Sequence, residues 1–499
     1  KNDGIAPETR LHILLKMEKL MSKILLSLLL VSQCLAQQPP ANDKRNPQIL
    51  INGIEQILKD LQNEKIFNAK TCPSYINNLT DYLFYLPASQ FIPISPKDIE
   101  YFKSHGDSMI KKIFLIRVKL HDHLQKFDEN NQLSNECLLK IREGIQYARF
   151  TEEYLLEWMV HNNVVHFQEK PVLEGEEPFV LLNPEFKELQ LMPGDVMLIR
   201  GKSYVSAMIA RIADEEGNFS HLAIVGEDEK GHLQVVESLI QQGVVVTPLE
   251  EWRKVQDSRV ALFRFPDKNL SERAAHLVYE WGLTHPQYDF AMDDSKYDKA
   301  FCSEVVRYAY DKASDGKIIL PKYRSHVSKF KGGPYPRSLG VTESTLFAPY
   351  DIEVDPRFDF VAESKYYPLL RQVRMQDSIL QSIYQWMIDK NYNFHDTMWI
   401  STQTYLGKIL RQIGFLKDLM PTYMPIQTIR STLQFETVAE ALEKNLYQKE
   451  DEYYKAHGYL PSFQEMMLSN DEYRKQDCVL YAQGKKSKFH YLFRGPGCH

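Results

Sequence analysis

Five short runs of apolar and β-branched residues crowd into the stretch from Met192 to Phe265, and they constrain the fold more than any other feature of the chain. Asp195–Arg200, His221–Gly226, Leu233–Ser238, Val244–Thr247 and Arg259–Phe265 are each the length of a strand, and Gly, Asp and Pro separate them. On both sides of this stretch the period changes. From Pro47 to about His161, Ile110, Ile113, Phe114, Leu120 and Leu124 fall at helical spacing, as do Cys137, Ile141, Ile145 and Ala148, so three or four helices are expected. That signal stops between Lys170 and Lys187. Further helices are expected at about 271–282 and from about Phe301, and long helical patterns return from about Pro368 to Asn470. Residues 316–366 are rich in Pro and Gly and read as irregular. The pattern is α+β: an antiparallel sheet packed on helices, flanked by N- and C-terminal helical regions. With 499 residues, two or three domains are expected, divided as 47–185, 186–366 and 367–499.

Charge excludes one class of partner. The chain carries 60 basic and 66 acidic side chains, a formal net charge of −6, and shows no long basic stripe, so a nucleic-acid partner is not expected. Near the start, Met17 and Met21 are candidate initiators, with residues 1–16 read as upstream sequence. Lys23, the apolar run 24–31 and Ser32-Gln33-Cys34-Leu35-Ala36 together read as a signal peptide cleaved after Ala36. The run is too short to span a bilayer. A short core helix is the competing reading, and a lipid on Cys34 fits less well because Val31 stands where Leu is usual. Residues 37–46 read as a flexible leader. The expected location is periplasmic or secreted, with no transmembrane helix in the mature chain. Loss of Cys34 leaves Cys72, Cys137, Cys302, Cys478 and Cys498. Two local pairs, Cys72–Cys137 and Cys478–Cys498, leave Cys302 over; five unpaired thiols are the alternative.

Cys302 opens a helical pattern in which Cys302, Val305, Val306 and Ala309 share a face. Free N–H groups at a helix start favour a thiolate and can receive an oxyanion. A buried structural cysteine fits that position equally well. His221 shifts the balance. It begins an apolar strand, and the polar turn Glu227–His232 connects it to a second strand carrying Glu237. A hairpin centred on Glu229 sets Glu237 directly across from His221, on one face, where a carboxylate can orient an imidazole. A register slip of one residue would separate them.

These residues resemble a known family. His221 in Phe-Ser-His-Leu-Ala-Ile-Val, Val-Val-Glu237-Ser, Gly243-Val-Val-Val, Tyr288-Asp-Phe and Phe-Cys302-Ser-Glu-Val-Val together resemble the YiiX-like permuted papain-fold cysteine amidases, relatives of the NlpC-type cell-wall hydrolases. Met-Pro-Gly-Asp195-Val-Met-Leu-Ile is similar to the family's first strand. In that family the histidine precedes the cysteine; here 302 − 221 = 81 residues separate them. The resemblance covers about residues 190–325. It implies that Cys302 is the nucleophile, His221 the base and Glu237 the third, orienting residue. It also places Tyr288, Asp195, Ser220 and Ser303 near the substrate. A peptide or other amide is the implied substrate, with peptidoglycan as one candidate.

Two rival functions remain at this stage. One is a lipid-directed thiol acyltransferase or phospholipase on the same permuted fold, although its usual Asn-Cys-Glu motif is replaced by Phe301-Cys302-Ser303. The other is a non-catalytic binding scaffold. No cofactor or metal is expected: His121, His123, His161 and His166 match no zinc spacing. Gly332-Gly333-Pro334 lacks the strand and helix of a phosphate loop.

Overall fold

The structure is a computed structural model that describes residues 47–83, 96–293, 296–327, 344–412, 423–485, 487 and 489–498. The signal-peptide and leader readings, and Gly332-Gly333-Pro334, lie outside the described residues. The described residues fall within one compact unit.

Four helices come first: α1 (Pro47–Leu61), α2 (Cys72–Leu83), α3 (Pro96–Glu129) and α4 (Asn135–His161). The disulfide Cys72–Cys137 ties α2 to α4. The sheet has seven strands: β1 (Val180–Leu182), β2 (Val196–Arg200), β3 (His221–Glu227), β4 (Leu233–Leu239), β5 (Gly243–Pro248), β6 (Arg259–Arg264) and β7 (Asp359–Lys365). Their spatial order is β1-β7-β6-β2-β3-β4-β5, all pairings antiparallel. All five strands expected from the sequence are present. The two others, β1 and β7, form the far side of the sheet. Strand β7 lies in the stretch read as irregular; its Glu363 and Lys365 resemble solvated positions but are buried and ion-paired.

Both faces of the sheet are covered. Val196, Leu198, Leu222, Ile224 and Phe263 join the large core with the helices. Met197, Ile199, Ala223, Val225 and Leu262 pack on the other face against Val172, Leu173, Leu249 and Trp252. Strands buried on both faces read as continuous apolar runs instead of alternating ones, which is how they appear in the sequence. Helices α5 (Tyr204–Ile209), α6 (Lys268–Gly282) and α7 (Cys302–Ala313) belong to this central part. Then follow α8 (Tyr367–Lys390), α9 (Met398–Gln412), α10 (Ile426–His457) and α11 (Phe463–Ala482), with Cys478 bonded to Cys498.

A buried ionic cluster joins all three segments. Arg117 of α3 meets Glu152 of α4 at 3.1 Å and also binds Glu363 of β7. Arg259 of β6 binds Glu153 of α4 and, at 2.9 Å, Asp377 of α8. Asp377 also takes Arg200 of β2 at 2.9 Å and Arg211 at 3.2 Å. Burial alone would raise the Asp377 carboxyl, but these three guanidinium groups hold it below the usual carboxylate range.

Candidate active site

Cys302 is the first residue of α7, where the leading N–H groups lack intrahelical partners. The segment before it is tied to the sheet edge. Ser238 Oγ of β4 donates to Ala300 O at 2.6 Å, Ala300 N donates to Gln287 O at 2.9 Å, and Val244 N of β5 donates to Pro286 O at 2.8 Å. The helix start is therefore fixed against β4 and β5. Cys302 is buried, and among the described cysteines it is the one outside a disulfide.

His221 opens β3, and its Nε2 lies 2.6 Å from Glu237 Oε2 of β4. The hairpin register differs from the one expected. Ala223 pairs with Glu237 and Ile224 with Val236, so paired numbers sum to 460, not 458. The loop explains the shift. The Asp228 carboxylate accepts from Lys230 N and His232 N, both at 2.8 Å, and Gly231 takes φ +81°. That geometry centres the turn on Lys230. A slip of two keeps both side chains on one face, because strand side chains alternate with period two. The His221–Glu237 contact is thus diagonal, within reach for long side chains.

With Nε2 taken by Glu237, Nδ1 remains for the sulfur, and His221 is hydrogen-bonded to Cys302. Burial alone would depress the imidazole. The hydrogen bonds to Cys302 and Glu237 outweigh it and push His221 up to about 10. This direction favours the imidazolium at neutral pH.

All three side chains line a cavity of about 990 Å³. Most of its wall is apolar, including Ile199, Met208, Ile212, Leu239, Val245, Trp252 and Phe290. The C-terminal region contributes Thr428, Ile429, Thr432, Leu433 and Glu436 of α10. Among the described residues, no Lys or Arg lines it.

The four residues expected near the substrate separate into two groups. Tyr288 and Ser220 line the cavity. Tyr288 is buried, its hydroxyl held well above its ordinary value by burial and the nearby Cys302. Ser220 Oγ donates to Ile199 O at 3.3 Å. Asp195 and Ser303 are not part of the wall. Both Asp195 oxygens are taken by Arg264, each at 2.7 Å, and one also accepts from Met192 N, so Asp195 braces the start of β2. Ser303 is fully buried on α7, its hydroxyl without a hydrogen-bond partner among the described residues.

Asp257 was not singled out in the sequence. It lines the cavity beside Cys302, His221 and Glu237, and burial pushes its carboxyl up to about 6 against the opposing pull of His221. Sequence offers little signal for it, because Gln256-Asp257-Ser258 reads as an ordinary turn before β6. The histidines considered for a metal lie apart: His123 Nε2 contacts Leu61 O, and the His161 ring packs on Tyr454. Among the described residues, Cys478, His490 and Cys498 are close enough to share an ion, but the disulfide occupies both sulfurs.

Residues 190–328 match the model of a family described as permuted papain-like amidase enzyme, YaeF/YiiX, C92 family. Metalloprotein yiiX from Escherichia coli O157:H7 is a structural neighbour, 20% identical, with a TM-score of 0.28 over 36% of this chain and 100% of its own. No curated protein matches the chain. Residues 190–328 are thus similar to the permuted papain-like amidases of the YaeF/YiiX type, a family of cysteine peptidase-class enzymes.

Proposed function

We propose that the chain hydrolyses an amide through a Cys302 acyl-enzyme, and that the acyl part of the substrate is large and apolar. The observation that carries this reading is the placement of Cys302, His221 and Glu237 in the wall of one large apolar cavity. The Cys302 thiolate attacks the carbonyl carbon, forming the C–S bond, and N–H groups at the start of α7 receive the oxyanion. As the C–N bond breaks, His221 gives its proton to the leaving amine. Water then attacks the thioester, His221 takes one of its protons, the C–S bond breaks, and a carboxylic acid leaves with the Cys302 thiolate and His221 imidazolium restored. Glu237 holds the imidazole in place.

The lining narrows the substrate. A carboxylate or phosphate deep in the cavity would meet no described Lys or Arg there, and the His221 imidazole is already engaged by Glu237 and Cys302, which disfavours acidic cell-wall peptides and phospholipid headgroups as the buried portion. The apolar wall favours a second reading as well, acyl transfer from the same acyl-enzyme to an acceptor other than water. The two disulfides support an oxidising, extracytoplasmic compartment. Intact mass after incubation with long-chain N-acyl amides, acyl esters and peptidoglycan fragments in parallel tests the proposal. We expect an acyl adduct with the N-acyl amide that is absent in Cys302→Ala. An adduct only with peptidoglycan fragments, or one that survives in Cys302→Ala, contradicts it.

A further inference from the structure

Outside the catalytic cavity, α9 presents a large exposed apolar face. Its inner side is buried through Ile400 and Thr404. Its outer side carries Met398 at 89% exposure, Trp399 at 63%, Tyr405 at 65%, Leu406 at 52% and Ile409 at 37%. Such a contiguous apolar face on a folded protein marks a surface made to be covered. The sequence of α9 contains Lys408 and Arg411 and no acidic residue, in a chain whose net charge is −6. The acid just before it, Asp396, is engaged by Arg430 at 3.3 Å.

We propose that the outer face of α9 docks on an anionic lipid bilayer surface. Three observations select a membrane over a second copy of the chain or a protein partner. The charge of the helix complements an anionic surface and opposes the net charge of the chain. The exposed aromatics are Trp and Tyr, whose rings combine an apolar body with a polar tip suited to the headgroup level. The patch also lies on a helix adjoining an element of the cavity wall. Helix α9 packs on α10, whose Thr428, Ile429 and Leu433 line that cavity. At fifteen residues α9 is too short to span a bilayer, and no described helix is long and apolar enough to do so. The helix therefore lies in the interface plane and brings the cavity close to acyl chains. This goes beyond the amidase reading, and its readout needs no turnover.

The test uses the full chain with vesicles of phosphatidylcholine alone and of phosphatidylcholine mixed with phosphatidylglycerol. Trp158, Trp252 and Trp386 are buried and Trp281 stacks on Tyr308, so Trp399 dominates any change in emission on docking. We expect cosedimentation with the anionic vesicles, a blue shift in emission, and weaker binding at high salt. Trp399→Ser/Leu406→Ser should lose at least tenfold in vesicle affinity with an unchanged melting curve, because both side chains are exposed. Lys408→Glu, a second and independent variant, should weaken binding to anionic vesicles alone. The proposal is overturned by an absence of vesicle binding, by equal binding of the double variant, or by a wild-type dimer in solution that the double variant dissolves.

Discussion

His221 links the geometry of the site to its pH behaviour. Its folded-state value is raised from 6.5 to about 10, so the stability it contributes is fully present below about 6.5 and is lost as pH rises through about 10. In the proposed mechanism the same titration removes the proton destined for the leaving amine. The alkaline limb of kcat/KM should therefore fall near pH 10, and a limb centred near pH 6.5 would show that the Cys302–His221–Glu237 coupling is absent. Single-turnover rates should separate the roles of the pair. His221→Ala should cost about 10³-fold or more, and Glu237→Gln roughly ten- to a hundredfold, because an orienting group acts indirectly. Equal rates for Glu237→Gln and wild type would remove Glu237 from the chemistry. Cys302, His221 and Glu237 were legible in the sequence because each sits at the start or along an element with a clear period. Asp257 was not, since its place in the cavity wall depends on how the turn before β6 folds back toward β2.

At the scale of elements, the β3–β4 hairpin shows what pattern can and cannot fix. Alternation assigned His221 and Glu237 to one face, and that assignment survived a two-residue shift in register. The register itself follows from the hydrogen bonds of Asp228 and the left-handed Gly231, which apolar period does not report. Strand β7 is not legible for a related reason: buried charge looks like solvated charge when its partners lie 213 to 246 residues away in sequence. The turn into β5 gives a sharper test. Gly243 has φ +75°, and a Cβ there would lie 2.2 Å from Pro286 O, the carbonyl that receives Val244 N. Gly243→Ala must displace that backbone, and with it the segment leading to Cys302. A loss of roughly 2–4 kcal/mol in urea unfolding is expected, with reduced acylation by substrate. An unchanged urea midpoint would show that the segment does not need this close approach.

At the scale of the whole molecule, the helical regions and the sheet are held together by charge as well as by apolar packing. Asp377 meets guanidinium groups from β2, from β6 and from Arg211. Asp377→Asn leaves these buried cations short of their counter-charge and should cost about 3–5 kcal/mol, read as a lower urea midpoint. The penalty should shrink in acid, because a depressed carboxylate contributes its stability above its ordinary range and loses it as pH falls. A variant within experimental error of wild type at pH 7 would show the cluster to be dispensable. The same cluster imposes an order on synthesis. Arg200 leaves the ribosome 177 residues before Asp377, roughly ten to thirty-five seconds at ordinary elongation rates. During that interval the nascent sheet holds arginines that have no acid from α8 to meet, so closure of its core must wait until the C-terminal helices have been made.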